Sequence, residues 1–144
     1  MSLSHKQVID RYNQGKSGKG GNIISTGNVL YSYGEHFPML ARVTVNGVNI
    51  TLGTYHSYSR TTANHLTKCG ARNADFLVIR PTDNPSKAKQ EIITALTYYL
   101  SKAQETALKA ARARKHKQYH IDQQNQWLSM YKKATDLLAK GETA

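Results

Sequence analysis

The centre of the chain alternates between apolar and polar positions with a period of two. Phe37, Met39, Ala41, Val43 and Val45 lead to Asn46-Gly47, and Val48, Ile50 and Leu52 alternate again beyond it. Successive strand side chains point to opposite faces, and Asn-Gly suits the positive φ angles of a type I′ turn. A two-residue loop pairs Val45 with Val48, Val43 with Ile50 and Ala41 with Leu52, so one face of this hairpin is apolar throughout. The other face carries Leu40, Arg42, Thr44, Asn49 and Thr51, which predicts a half-solvated antiparallel sheet. Val29-Leu30-Tyr31-Ser32-Tyr33 reads as another strand, with Asn22-Ile23-Ile24-Ser25 a candidate before it. Phe76-Leu77-Val78-Ile79 reads as a short buried strand closed by Pro81.

Helical periodicity takes over at both ends. Ser4 is placed to cap a short helix through about Asn13, with Val8, Ile9 and Tyr12 on its apolar side. Ser59 is placed to cap a second, from about Arg60 to Ala71, ending near Gly70. After Pro85 there is no Pro or Gly until Gly141. Ile92, Ile93, Leu96, Tyr99, Leu100, Ala103 and Ala107 gather within about 120° of a helical wheel. Trp127, Tyr131, Ala134 and Leu138 form a second stripe, flanked by Leu128, Met130 and Leu137. One helix from Ser86 to Ala139 would be about 80 Å long, too long for so small a globule. Either the chain turns back near residues 115–123, which is the favoured solution, or the distal stripe packs on another copy.

The expected fold is α+β. A three- or four-stranded, mostly antiparallel sheet carries packed helices and a long C-terminal helical arm or hairpin. Residues 1–21 are expected to hold a short helix and a flexible basic linker, 22–82 a small α+β core, and 83–144 the helical region. The linker, Gly15-Lys16-Ser17-Gly18-Lys19-Gly20-Gly21, contains the letters Gly-Lys-Ser. It lacks the preceding strand and the earlier glycine of a phosphate-binding loop, so it implies no nucleotide cofactor. The length, 144 residues, suits one domain with a modest core.

Charge adds a partner class. Twenty Lys and Arg stand against nine Asp and Glu, a formal net charge of +11 and a pI near 9.8. The excess is shared, with eight cations to two acids in residues 1–72 and twelve to seven in residues 73–144. Such a balance favours polyanions. Lys109, Arg112, Arg114, Lys115 and Lys117 fall on nearly every side of a helical wheel, with no acid among residues 109–117. No protein interior accommodates that segment. These five cations, with Lys16 and Lys19, are the expected nucleic-acid contacts, made to phosphates rather than bases. Trp127, Tyr131 and Leu138 are the expected self-association residues of a homo-oligomer. The single cysteine, Cys69, forms no intrachain disulfide and suits a reducing compartment. No run of about 18 apolar residues offers a membrane span, and the N-terminus lacks a signal-peptide core. A cytoplasmic protein without a membrane partner is expected.

Tyr31-Ser32-Tyr33-Gly34-Glu35-His36-Phe37-Pro38 and Tyr58-Ser59-Arg60-Thr61-Thr62-Ala63-Asn64-His65 share a further reading. They resemble an uncharacterised family of small bacteriophage and mobile-element proteins, whose pattern is Ser-Tyr-Gly, then His-Phe-Pro, a hairpin, and Tyr-Ser-x-Thr-Thr-x-x-His. The likeness covers about residues 25–66. It implies a phage-type accessory protein acting in the host cytoplasm, with a host protein complex as an alternative partner. The basic helical segment lies outside the pattern.

The same motifs hold the candidate chemistry. His36 and His65, with Glu35, Tyr33, Arg60 and Thr62, are the residues a His-dependent nuclease or phosphodiesterase would need as acid, base and phosphate clamp. In the structural alternative, Ser59 caps a helix and His36 makes a fixed hydrogen bond beside Pro38. That alternative fits a non-catalytic protein. His65 and Cys69, with His56 a candidate third, and His116 and His120 have the i, i+4 spacing of metal ligands, but neither set has an evident fourth ligand. No metal and no cofactor are expected.

Overall fold

A computed structural model describes residues 3–32, 37–55 and 60–142. They form two compact units, residues 1–91 and 92–144, rather than one.

The first unit opens with helix α1 (His5–Asn13). Ser4 caps it as expected: its hydroxyl accepts from the Gln7 amide while the Gln7 side chain accepts from the Ser4 amide, a reciprocal capping box. Val8 and Tyr12 are buried. Among the described residues six strands follow, β1 (Ser17–Gly20), β2 (Ile23–Thr26), β3 (Val29–Ser32), β4 (Phe37–Val45), β5 (Val48–Thr54) and β6 (Phe76–Val78). They lie in that order in one sheet, antiparallel through β5, with β6 parallel to β5. Helix α2 (Arg60–Cys69) and a 3₁₀ turn (Ala71–Asn73) connect β5 to β6. Gly70 ends α2 with φ +71°.

The hairpin is the expected one. Val45 pairs with Val48, Val43 with Ile50 and Ala41 with Leu52, around Asn46 and Gly47 at φ 51° and 82°. The sheet has six strands where three or four were expected, chiefly because residues 15–21 are not a flexible linker. Ser17–Gly20 pairs with Ile23–Thr26, the Ser25 hydroxyl donates to the Lys16 carbonyl at 2.8 Å, and the Leu3 amide donates to the Lys19 carbonyl at 3.1 Å. Its glycines permit this: a Cβ on Gly20 would collide with the Leu3 carbonyl. The core therefore begins near residue 3, not residue 22.

The second face of the sheet is also less solvated than the alternation implies. A register shift between Leu30 and Tyr31 leaves Met39 as an extra residue opposite β3. Met39 and Leu40 then join Val8, Tyr12, Ile23, Leu30, Phe37, Leu66 and Ala71 in one buried cluster. Only the hairpin tip keeps the expected polar face, with Thr44 and Asn49 exposed and their side chains hydrogen-bonded at 2.5 Å.

Helix α3 (Pro85–Arg112) begins in the first unit. Asn84 caps it by accepting from the Lys87 amide at 3.0 Å, with Pro85 at the first helical position. Its buried residues are Ala88, Ile92, Ala95, Tyr99, Ala103, Thr106 and Ala110, a heptad-like spacing of threes and fours. Ile93 and Leu100, expected within that stripe, are exposed.

In the second unit the chain turns back, as favoured, at residues 113–116, and α4 (Lys117–Glu142) follows. Trp127 stacks on Tyr99 at 6.1 Å between ring centroids and meets Tyr98 edge-on at 5.6 Å. The indole that the sequence offered to a second copy is thus taken up within its own chain. Tyr131 and Leu138 are half-buried, and Ala134 and Leu137 are buried. None of the described helices is long and apolar enough to cross a membrane.

Candidate nucleic-acid interface

The five expected cations do not ring one helix. They gather where one helix ends and another begins. Lys109 and Arg112 occupy the last turn of α3, Arg114 and Lys115 lie in the connection, and Lys117 starts α4. His116 sits between them with φ 61°, the left-handed conformation that reverses the chain. All six of these side chains are exposed.

The electrostatics at the two helix ends differ. Lys109 and Arg112 face the negative end of the α3 dipole, which favours them. Lys117 stands at the positive end of α4, which disfavours it, and no acidic residue occupies that first turn. Lys109 has a local partner: its amine lies 3.3 Å from the Glu105 carboxylate, which also meets Lys102 at 3.3 Å. Hydrogen bonds from Lys109, then Lys102, hold the Glu105 carboxyl below its ordinary range. Arg112, Arg114, Lys115 and Lys117 make no ion pair among the described residues. Comparison with known proteins finds no matching family, curated protein or solved structure.

Lys16 and Lys19 belong to the first unit, exposed beside and on β1. Lysines on such a strand also discourage edge-to-edge pairing with other sheets. Tyr119 is 60% exposed on the first turns of α4, its ring edge-on to His120 at 5.5 Å.

The histidine chemistry resolves differently. His36, Glu35, Tyr33, His56 and Ser59 lie outside the described residues, so the convergence of His36 with His65 and the Ser59 cap do too. His65, on α2, is 3% exposed. Its Nδ1 is 2.7 Å from the Ser32 hydroxyl at the end of β3, and its ring meets His5 at 4.9 Å, nearly perpendicular. Burial, reinforced by His5 and Lys68, lowers the His65 pKa from its ordinary value and so favours the neutral ring. Ser32 was the partner that the sequence reading missed, although it stands in the first motif as His65 ends the second.

Cys69 Sγ donates to the Leu66 carbonyl at 3.6 Å, and burial pushes its thiol up to about 11, far from a reactive thiolate. Among the described residues no three His, Cys, Asp or Glu side chains are grouped as metal ligands. Arg42, half-buried, donates to the carbonyls of Tyr12 and Gly27 and lies 4.1 Å above the Tyr12 ring. It thereby supports the C-terminal end of α1. Burial raises the Tyr12 pKa to about 12, and its hydroxyl has no hydrogen-bond partner among the described residues.

Proposed function

We propose that this chain is a phage-type accessory protein that binds DNA or RNA through backbone phosphates, without catalysis, at the α3–α4 turn. One observation carries the reading: Arg112, Arg114, Lys115 and Lys117 crowd an exposed turn where no carboxylate among the described residues neutralises them. Their mutual repulsion, and the position of Lys117 against the α4 dipole, cost stability that a polyanion would return. The overall charge of +11 adds a long-range attraction of the same sign. The buried, hydrogen-bonded His65 supports a structural rather than a catalytic role for the one motif histidine that is described.

The test is binding of the full chain to mixed-sequence DNA and RNA, beside a variant with those four cations changed to Gln. The variant should lose most of the affinity for either polymer. Unchanged affinity would remove the turn as the site.

A second reading is a protein-interaction module that inhibits a host defence complex. It draws on Ile93, Leu100 and Leu108 of α3 and Leu128 of α4, which are 41–57% exposed. Such a complex would survive nuclease treatment and moderate salt, whereas the first reading requires sensitivity to both.

A further inference from the structure

The geometry points to unpaired nucleic acid, rather than duplex, as the ligand of the α3–α4 turn, with Tyr119 as the platform on which a base stacks. This rests on the phosphate-binding reading above and adds the strand state of the polymer. Single exposed aromatics are ordinary on protein surfaces. Tyr119 differs in its position, two residues after Lys117 and four after Lys115. Helical side chains tilt toward the helix N-terminus, so a ring at this position leans toward the turn that carries Arg114, Lys115 and His116.

The ring is also not occupied by packing. It is the most exposed large hydrophobic side chain among the described residues, and its one recorded ring contact is the edge of the neighbouring His120. Around it, Gln118 is bonded to Asp122 at 2.9 Å along the helix, so the polar neighbour one residue before is already engaged. A π-face beside a run of phosphate-binding cations is the combination that sequence-tolerant single-strand proteins use: the cations follow the backbone while the ring takes successive bases. Bases in a duplex are already stacked on each other and offer no free face to a lone exposed ring. Groove readout would instead need several side chains aimed at base edges. The turn presents Lys, Arg and His, whose contacts with phosphate carry no sequence information.

The experiment measures affinity of the full chain for a labelled oligo-dT of about 20 nucleotides and for a blunt duplex of equal length. Wild type, Tyr119→Ala and Tyr119→Phe are compared at matched salt. Because alanine is the better helix former and Tyr119 is exposed, the alanine variant keeps the fold, and far-ultraviolet circular dichroism checks this. Wild type should prefer the single strand. Tyr119→Ala should lose about 5- to 100-fold on oligo-dT while leaving duplex affinity and salt dependence in place. Tyr119→Phe should match wild type, since the ring and not the hydroxyl stacks. Equal single-strand binding by Tyr119→Ala, or a preference for duplex, would overturn the inference; salt-dependent wild-type binding in that result would leave the phosphate reading intact. Binding to neither polymer would overturn both.

Discussion

Ser32 Oγ and His65 Nδ1, 33 residues apart in sequence, lie 2.7 Å apart and buried, which ties the end of β3 to α2. The first recurring motif thus meets the second through a hydrogen bond. Losing one partner leaves a buried polar atom without the other, which costs more than the bond's net worth. Ser32→Ala should therefore destabilise the fold by about 1–3 kcal/mol. A double-mutant cycle with His65→Ala should show coupling of about 1 kcal/mol or more. Urea denaturation of the four proteins measures it, and additive losses would show that the pair is only a juxtaposition.

His65 also sets a direction for pH dependence. Its folded pKa lies below 6.5, chiefly through burial, so the unfolded chain takes up a proton first as pH falls. Between the two pKa values the unfolded state binds more protons, and stability rises with pH. The contribution is fully present above about pH 6.5 and is lost as the solution is acidified toward the folded pKa. The slope from this group is at most about 1.4 kcal/mol per pH unit. Urea midpoints across that window should fall on acidification in wild type and fall less in a His65→Gln variant.

Gly53, on β5, is needed for close approach rather than for an unusual backbone angle. A Cβ there would collide with the Ala71 carbonyl and press on Ala74. Both contacts are with main chain or a short side chain, so neither swings aside. Gly53→Ala should cost about 1–3 kcal/mol through overpacking, with no change in the denaturant slope. Gly47→Ala would test the other use of glycine, since open space surrounds its Cβ position but φ is +82°.

Much of this architecture was legible where one short-range signal agreed with one long-range pattern. Asn46-Gly47 named the turn, and the flanking alternation named the pairs. Ser4 with Gln7 named the α1 start. β1 was not legible, because Ser-Gly-Lys-Gly has no apolar alternation; pairing with β2 and approach to Leu3 hold it, and both are tertiary. The extra residue Met39 moves Phe37 from the face of Ala41 to the face of Leu40, which a strict period of two cannot represent. In the second unit, the cationic run was visible, but its division into a helix end, a turn and a helix start depends on the left-handed His116. Glu105, the partner of Lys109, stands four residues before it at ordinary helical spacing and was available from the sequence.

Trp127 is the only tryptophan, so its fluorescence reports the second unit alone. Its stacking on Tyr99 predicts that Tyr99→Leu shifts the emission to the red and lowers the unfolding free energy followed by fluorescence by about 1–2 kcal/mol. Unchanged emission would place the indole elsewhere than against Tyr99.

The salt dependence of binding tests the central claim most directly. The observed association constant for a single-stranded oligonucleotide should fall linearly with salt on a double logarithmic plot. Changing Arg112, Arg114, Lys115 and Lys117 to Gln should make that slope shallower by about 3, as expected for losing roughly four phosphate contacts. Wild-type and variant lines of equal slope and height would contradict it.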